Sequence, residues 1–311
     1  MAADEYPGHY RLITERLWAK DPSVVIVASG RWGPSIEGSP CLTGQRCDVW
    51  DDHYYRDPDT MAQMGAQYDV YNRSWPQVFV GEYAANGGGA KPTLQAALAE
   101  GLFLLGFERN ADVVVASSFA PLLNNVQGTQ WAYNLINLNA TALFALPSYY
   151  VQTLFSRHLG THVLPVTTLA GAAGGAAATE ALRADEANHE ANHEANHEVR
   201  LGAEPSSDGD VSEWGASAAA TADPDRLIVK LVNYASEPRR IDVSLAAFAP
   251  RTPKQASAAM LTAQSPDAQN SLDTPRAVVP KAMDPTPSLE AAGIQVEMPP
   301  WSLAVVNVTL G

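Results

Sequence analysis

Between residues 1 and 158 short apolar runs alternate with helix-forming stretches, and from Arg226 onward that alternation gives way to period two. Parallel strands must be joined by crossovers of about a dozen residues, whereas antiparallel strands need only a turn. The first region therefore predicts βα units and a parallel sheet. The last region predicts a small antiparallel β module, a sandwich, with no helical crossovers.

Tyr10, Ile13, Leu17 and Trp18 recur at helical spacing, and Asp21-Pro22 breaks the chain before the strand candidate Ser23–Ser29. A Gly/Pro-rich loop spans Gly30–Gly44, and Asp48–Tyr55 is the next strand. Asp59 is expected to cap a helix through Tyr71. Val78–Glu82 is the third strand, and Gly87-Gly88-Gly89 leads to Thr93, the expected cap of a long Ala/Leu helix to Arg109. Asp112–Ser118 is the fourth strand, Ala120–Tyr133 a loop, and a last helix ends near Phe155. Beyond it, Leu227–Tyr234, the alternating Ile241/Val243/Leu245 and Ile294/Val296/Met298, and Trp301–Leu310 are expected strands.

Charge limits the partners. Thirty-four acidic residues against 20 basic ones give a net charge of −14. A field of that sign repels phosphate backbones and anionic membrane surfaces, so neither nucleic acid nor a membrane is expected as a partner. A neutral sugar polymer is compatible with it. No apolar run approaches the ~20 residues of a membrane span. MAADEYPGHY has neither the basic start nor the apolar stretch of a signal peptide. No cofactor motif is present, and location and self-association stay open.

Residues 171–210 read as a low-complexity insert expected to be disordered and dispensable, being rich in Ala, Gly, Ser and acidic residues. Within it Ala187-Asn188-His189-Glu190 repeats to Glu198. On a helix His189, His193 and His197 would share a face and could bind a metal. The plainer reading is a slippage repeat without the second shell a metal site needs. Cys41 and Cys47 could close a small-loop disulfide in an oxidising compartment or remain two free thiols.

Polar and ionisable residues gather at the C-terminal ends of the parallel strands, where such architectures do chemistry. Glu82 follows Val78-Phe79-Val80, and a charge there costs desolvation energy unless something uses or pairs it. His53 and Tyr55, two apart, share a face of the preceding strand. A tyrosine hydroxyl beside a carboxylate can orient it and hold it ionised. Neighbouring strands would bring His53, Tyr55 and Glu82 to one rim.

These residues carry a resemblance. Asp51-Asp52-His53-Tyr54-Tyr55-Arg56, Val78–Ala85, Leu98-Ala99-Glu100-Gly101, Gly106–Val114, Ala116–Leu122 and Leu146–Gln152 occur in one order. Val229–Asn233 and Met298–Ser302 continue it. The chain resembles the family 51 glycoside hydrolases, the α-L-arabinofuranosidases, over nearly everything except the insert. The resemblance implies a (β/α)8 barrel joined to a β-sandwich and hydrolysis that retains anomeric configuration. It makes Glu82 the catalytic nucleophile, His53 and Tyr55 substrate-pocket residues, and an arabinose-containing polysaccharide or oligosaccharide the partner. The loop Ala120–Trp131 would line the sugar site. Bacterial members often carry a Gln in that loop where this chain has Pro121, so no residue there is given a role.

A retaining glycosidase needs two carboxyl groups ~5 Å apart. The family's acid/base, in a Gly-Asn-Glu motif ending the fourth barrel strand, has no counterpart before Val24, and Tyr6–Ala19 resembles the helix after it. The expected fold is thus α/β plus all-β. Residues 1–158 are the C-terminal half of a (β/α)8 barrel, strands five to eight, with open sheet edges. Residues 159–170 and 211–311 are the antiparallel β-sandwich. The expected function is that of a retaining arabinofuranosidase, here as a portion without its acid/base and therefore of low activity alone. The alternative is a non-catalytic remnant that contacts carbohydrate or serves structurally. Asn72, Asn139 and Asn307 lie in N-x-S/T sequons.

Overall fold

A computed structural model describes residues 6–32, 39–42, 44–131, 133–169, 199–203, 214–221, 223–283, 287–288 and 293–311. Helix α1 (Tyr6–Lys20) precedes β1 (Val27–Trp32), β2 (Val49–Tyr55), α2 (Pro58–Gln63), β3 (Gln77–Ala84), α3 (Leu94–Arg109) and β4 (Val114–Phe119). The strands form one parallel sheet in the order β1-β2-β3-β4, with β1 and β4 at its edges. This is the α/β unit the alternation foretold.

Several details differ from the sequence reading. Strand β1 begins at Val27 rather than Ser23, because Trp18 Nε1 donates to the Val24 carbonyl at 2.8 Å and ties that segment to α1. Helix α2 is capped by Asp57, which accepts from the Thr60 amide, and it ends at Gln63, not Tyr71. Pro58 at its first position needs the cap one residue before it. The helical spacing in α1 is real, but the buried positions are Tyr10 and Thr14; Ile13 and Leu17 are exposed. Cys41 and Cys47 form a disulfide, with Cα atoms 5.0 Å apart, which suits the bond. Gly44 at φ +82° lies in the segment between them. Both cysteines pack against the Tyr10–Ala28–Trp50 cluster.

The segment after β4 is more structured than a loop. It carries β5 (Leu123–Asn125), β6 (Ile136–Leu138) and β7 (Leu143–Ala145), a three-stranded sheet, before α4 (Pro147–Arg157). Two further sheets follow. One holds β15 (Lys281–Met283), β14 (Pro253–Thr262), β18 (Ser302–Leu310), β12 (Arg226–Asn233), β11 (Trp214–Ala220) and β8 (His162–Leu164) in that spatial order. The other holds β16 (Pro287–Ser288), β17 (Gly293–Met298), β13 (Arg239–Ser244), β10 (Val199–Ala203) and β9 (Val166–Leu169). Their facing side chains, Leu201, Ile241, Val243 and Val296 against Val229, Leu231, Met260 and Val306, form one core.

Two expectations are corrected here. Val199–Ala203 lies inside the stretch read as a disordered insert, yet it is an interior strand with Val199 and Leu201 fully buried. Its Val-x-Leu alternation was masked by the repeats before it. The sandwich is also not wholly antiparallel, because β10 runs parallel to β9. The His repeat and the rest of the insert lie outside the described residues.

Helix α3 explains how the two units join. Thr93 caps it as expected, accepting from the Ala96 amide. It is apolar nearly all round, which marks a helix buried on every side. One side packs Phe103 and Phe107 on Tyr54, Tyr68 and Tyr83 of the α/β unit. The other meets the outer face of the six-stranded sheet, where Gly101 and Leu102 approach Leu303, Val232 and Gly215. Strand β12 is therefore buried on both faces, and its run Leu227–Val232 is continuous rather than alternating. Lys230 on that outer face is ion-paired with Glu108 of α3, lies 4.7 Å above the Phe155 ring, and is 2% exposed.

Candidate active site

Strand β2 alternates cleanly. Trp50, Asp52 and Tyr54 are buried on the helix side, and Asp51, His53 and Tyr55 line the opposite face at intermediate exposure. Asp52 is an internal anchor. It accepts from Trp50 Nε1 at 2.8 Å and Tyr54 Oη at 2.9 Å, with Tyr68 Oη at 3.2 Å. Burial raises its pKa despite these donors, and Asp51 adds to the rise.

Strand β3 does not keep a plain alternation. Asp52 pairs with Val80, but His53 pairs with Glu82, so Gly81 is one extra residue on β3. A bulge of this kind re-aims every later side chain. Without it Tyr83 would share Phe79's face and Glu82 would point into the helix layer. With it Tyr83 is fully buried against Phe103 and Phe107 on the helix side, and Glu82 joins His53 and Tyr55. Side chains hold the bulged peptide. Asp51 Oδ1 accepts the Gly81 N–H at 3.1 Å, and Ser118 Oγ of β4 donates to the Gly81 carbonyl. A Cβ on Gly81 would sit 2.1 Å from Asp51 Oδ1, so any side chain there has to displace that carboxylate.

The three residues singled out in the sequence therefore converge. Tyr55 Oη donates to Glu82 Oε2 at 2.6 Å, and His53 Nδ1 lies 3.5 Å from the same oxygen. His53 Nε2 lies 3.0 Å from Asp51 Oδ2. An ionised aspartate only accepts, so that contact puts a ring proton on Nε2. Burial, and then the Glu82 hydrogen bond and charge, push the Tyr55 hydroxyl's pKa up, keeping it a neutral donor. The Glu82 side chain is 41% exposed, open for attack on a bound molecule. The site is an open rim. Cavities of about 550 and 540 Å³ lie elsewhere, one against the central strands of the six-stranded sheet by Arg226 and Asn307, one by Phe144 and Tyr149.

A second carboxylate lies beneath the rim. Glu100 of α3 is fully buried, and its Oε1 accepts from the Ala85 amide at 3.0 Å and Tyr133 Oη at 3.1 Å. Burial pushes its pKa to about 7, the hydrogen bonds opposing. It ties the end of β3, three residues past Glu82, to the root of the 120–145 segment. The sequence alone gives a role to neither Asp51 nor Glu100. The i, i+2, i+4 spacing of Asp51, His53 and Tyr55 could have revealed Asp51; an acidic residue amid Leu98–Phe107 could have revealed Glu100.

Fold and site together define a carboxylate-centred rim at the C-terminal ends of parallel strands, backed by a β-sandwich. Residues 66–302 match the family model of the α-L-arabinofuranosidase C-terminal domain, and the chain belongs to that family. The extracellular exo-α-L-arabinofuranosidase of Streptomyces chartreusis is 34% identical over 168 residues, 52% of this chain and 20% of that protein. α-L-Arabinofuranosidase A of Aspergillus niger is 29% identical over 307 residues, 97% of this chain and 40% of that protein. The chain thus spans well under half the length of these relatives. Among solved structures, the arabinose-bound MgGH51 α-L-arabinofuranosidase superimposes with a TM-score of 0.73 at 23% identity, over 100% of this chain and 44% of that one. The arabinose complex of the Thermotoga maritima enzyme gives 0.68 at 17% identity, over 99% and 62%. At these identities the likeness is one of fold.

Proposed function

We propose that the parallel sheet β1–β4 is strands five to eight of a (β/α)8 barrel, and that Glu82 is the nucleophile of a retaining α-L-arabinofuranosidase. The observation that carries the reading is the 2.6 Å hydrogen bond from Tyr55 to a Glu82 carboxylate that the Gly81 bulge turns out of the helix layer. In this mechanism Glu82 attacks the anomeric carbon, the glycosidic C–O bond breaks, and a covalent glycosyl-enzyme forms. Water then releases the sugar. Tyr55 holds Oε2 so that the attacking oxygen is oriented, and it steadies the anionic carboxylate. His53, between Asp51 and Glu82, lines the sugar pocket.

The substrate class is a terminal, non-reducing arabinofuranosyl group on an arabinose-containing polysaccharide or oligosaccharide. The acid/base carboxyl that protonates the leaving oxygen is not assigned among these residues. General acid/base transfer is worth about 10²–10⁴-fold, so turnover on poor leaving groups depends on supplying that group. The test uses an activated aryl arabinofuranoside, with this chain and with a longer form carrying the preceding barrel strands. Hydrolysis in the longer form that Glu82→Gln abolishes supports the reading. Hydrolysis unchanged by Glu82→Gln refutes it.

A further inference from the structure

Three other features lie away from the rim. The Lys230–Glu108 pair joins the two units and touches no ligand surface. The cavity lined by Phe144, Tyr149 and Arg276 has nothing beside it that selects an occupant. The hydroxyl of Thr141 folds back on Asn139 within its sequon, as Ser74 does on Asn72, but a turn of this kind forms whether or not a glycan is attached.

The Gly81 bulge is different, because it decides where Glu82 points. We propose that Asp51 is a positioning residue for Glu82, acting through both of its carboxylate oxygens. This rests on the reading of Glu82 as the nucleophile. One oxygen, Oδ1, holds the amide of Gly81, the residue immediately before Glu82. The other, Oδ2, faces His53 Nε2 at 3.0 Å, and the ring's far nitrogen faces Glu82 Oε2 at 3.5 Å. Asp51 therefore fixes the backbone that carries Glu82 and the imidazole that flanks it. A bulge frees backbone groups from the ladder, and a bulge without partners would slide. Here Asp51 takes the N–H and Ser118 donates to the C=O, one from each neighbouring strand.

Asp51 does not itself meet the sugar in this scheme. Its side chain is 16% exposed against 41% for Glu82, and both of its oxygens are engaged. An ionised Asp51 keeps the His53 proton on Nε2. An amide in its place can donate to Nε2 instead, which moves the proton to Nδ1, beside Glu82. Asp51→Asn thus keeps an oxygen for Gly81 but inverts the imidazole. Asp51→Ala removes both functions. Gly81→Ala leaves Asp51 present but drives a methyl to within 2.1 Å of Oδ1.

The experiment measures covalent labelling of the protein by 2,4-dinitrophenyl 2-deoxy-2-fluoro-α-L-arabinofuranoside. Glu82 attacks C1, the C1–O bond breaks, dinitrophenolate leaves with the electron pair, and an ester remains. The good leaving group makes the step independent of an acid. Intact mass gives the rate, and circular dichroism reports the fold. Displacing a reacting group by ~1 Å costs about 10²-fold, so Asp51→Ala should lower the maximal labelling rate about that much with little change in the half-saturating concentration. Gly81→Ala should do the same. Asp51→Asn should lose about tenfold and shift the pH profile of labelling, which a purely structural role would not. Asp51→Ala/Gly81→Ala should be no slower than the worse single variant, because the methyl then has no carboxylate to displace.

Folded variants that label within about threefold of the native rate, or effects that multiply in the double variant, overturn the proposal while leaving Glu82 the nucleophile. If the native protein acquires no label on Glu82, both readings fall together. Should Asp51→Ala not fold, Asp51→Asn decides by the same criteria.

Discussion

Replacing Glu100 by glutamine should reverse its effect on stability between acid and alkaline pH. The side chain is fully buried, and burial raises its pKa from 4.5 to about 7. Between those values the unfolded chain has released the proton and the folded chain still holds it. The folded state then binds more protons than the unfolded one, so stability falls as pH rises. The contribution is fully present below pH 4.5 and fully lost above 7. At 1.36 kcal/mol per unit the loss is about 3 kcal/mol. Glutamine keeps an oxygen for the Ala85 amide and the Tyr133 hydroxyl but carries no titratable proton. Urea unfolding of both proteins at pH 5 and pH 8.5 isolates the effect, since all other titrations cancel in the difference. At pH 5 the variant should equal or fall below the native protein. By pH 8.5 it should gain about 2–3 kcal/mol relative to it. A difference that stays constant across this range would refute the argument that Glu100 is desolvated and titrates near neutrality.

The remaining expectations concern other parts of the fold. Tyr55→Phe removes the hydrogen bond to the half-exposed Glu82 carboxylate and should slow labelling of Glu82 at least tenfold, with the protein still folded by circular dichroism. Glu108→Gln strands the Lys230 ammonium and should cost about 3–5 kcal/mol by urea unfolding, whereas Glu108→Gln with Lys230→Met should recover most of it. Leu201→Ala should cost about 2–5 kcal/mol if β10 is an interior strand, and little if that segment is a dispensable insert. Replacing Cys41 and Cys47 by serine opens a seven-residue loop and should cost about 2 kcal/mol in chain entropy.

Much of this architecture could be read from the sequence, for physical reasons that also mark the failures. The α/β alternation, the Thr93 cap and the end of α3 at Arg109 were legible because capping and long apolar helices are local signals. The convergence of His53, Tyr55 and Glu82 was legible only in outline. Period two puts His53 and Tyr55 on one face, but Glu82 joins them through a one-residue bulge that periodicity does not show. Strand β10 was hidden by repeats beside it. The cap at Asp57 was misassigned to Asp59 because both are aspartates near Pro58, and only the proline's preference for the first turn separates them. Ile13 and Leu17 have helical spacing but stay exposed, since spacing gives a face and not its partner.

The central claim is that Glu82 performs nucleophilic attack, and peptide mapping tests it most directly. After incubation with the activated 2-fluoroarabinofuranoside, proteolysis and mass spectrometry should find one added fluoroarabinosyl group on the peptide containing Glu82, absent in Glu82→Gln. A label on any other carboxylate, or the same label in Glu82→Gln, would contradict it.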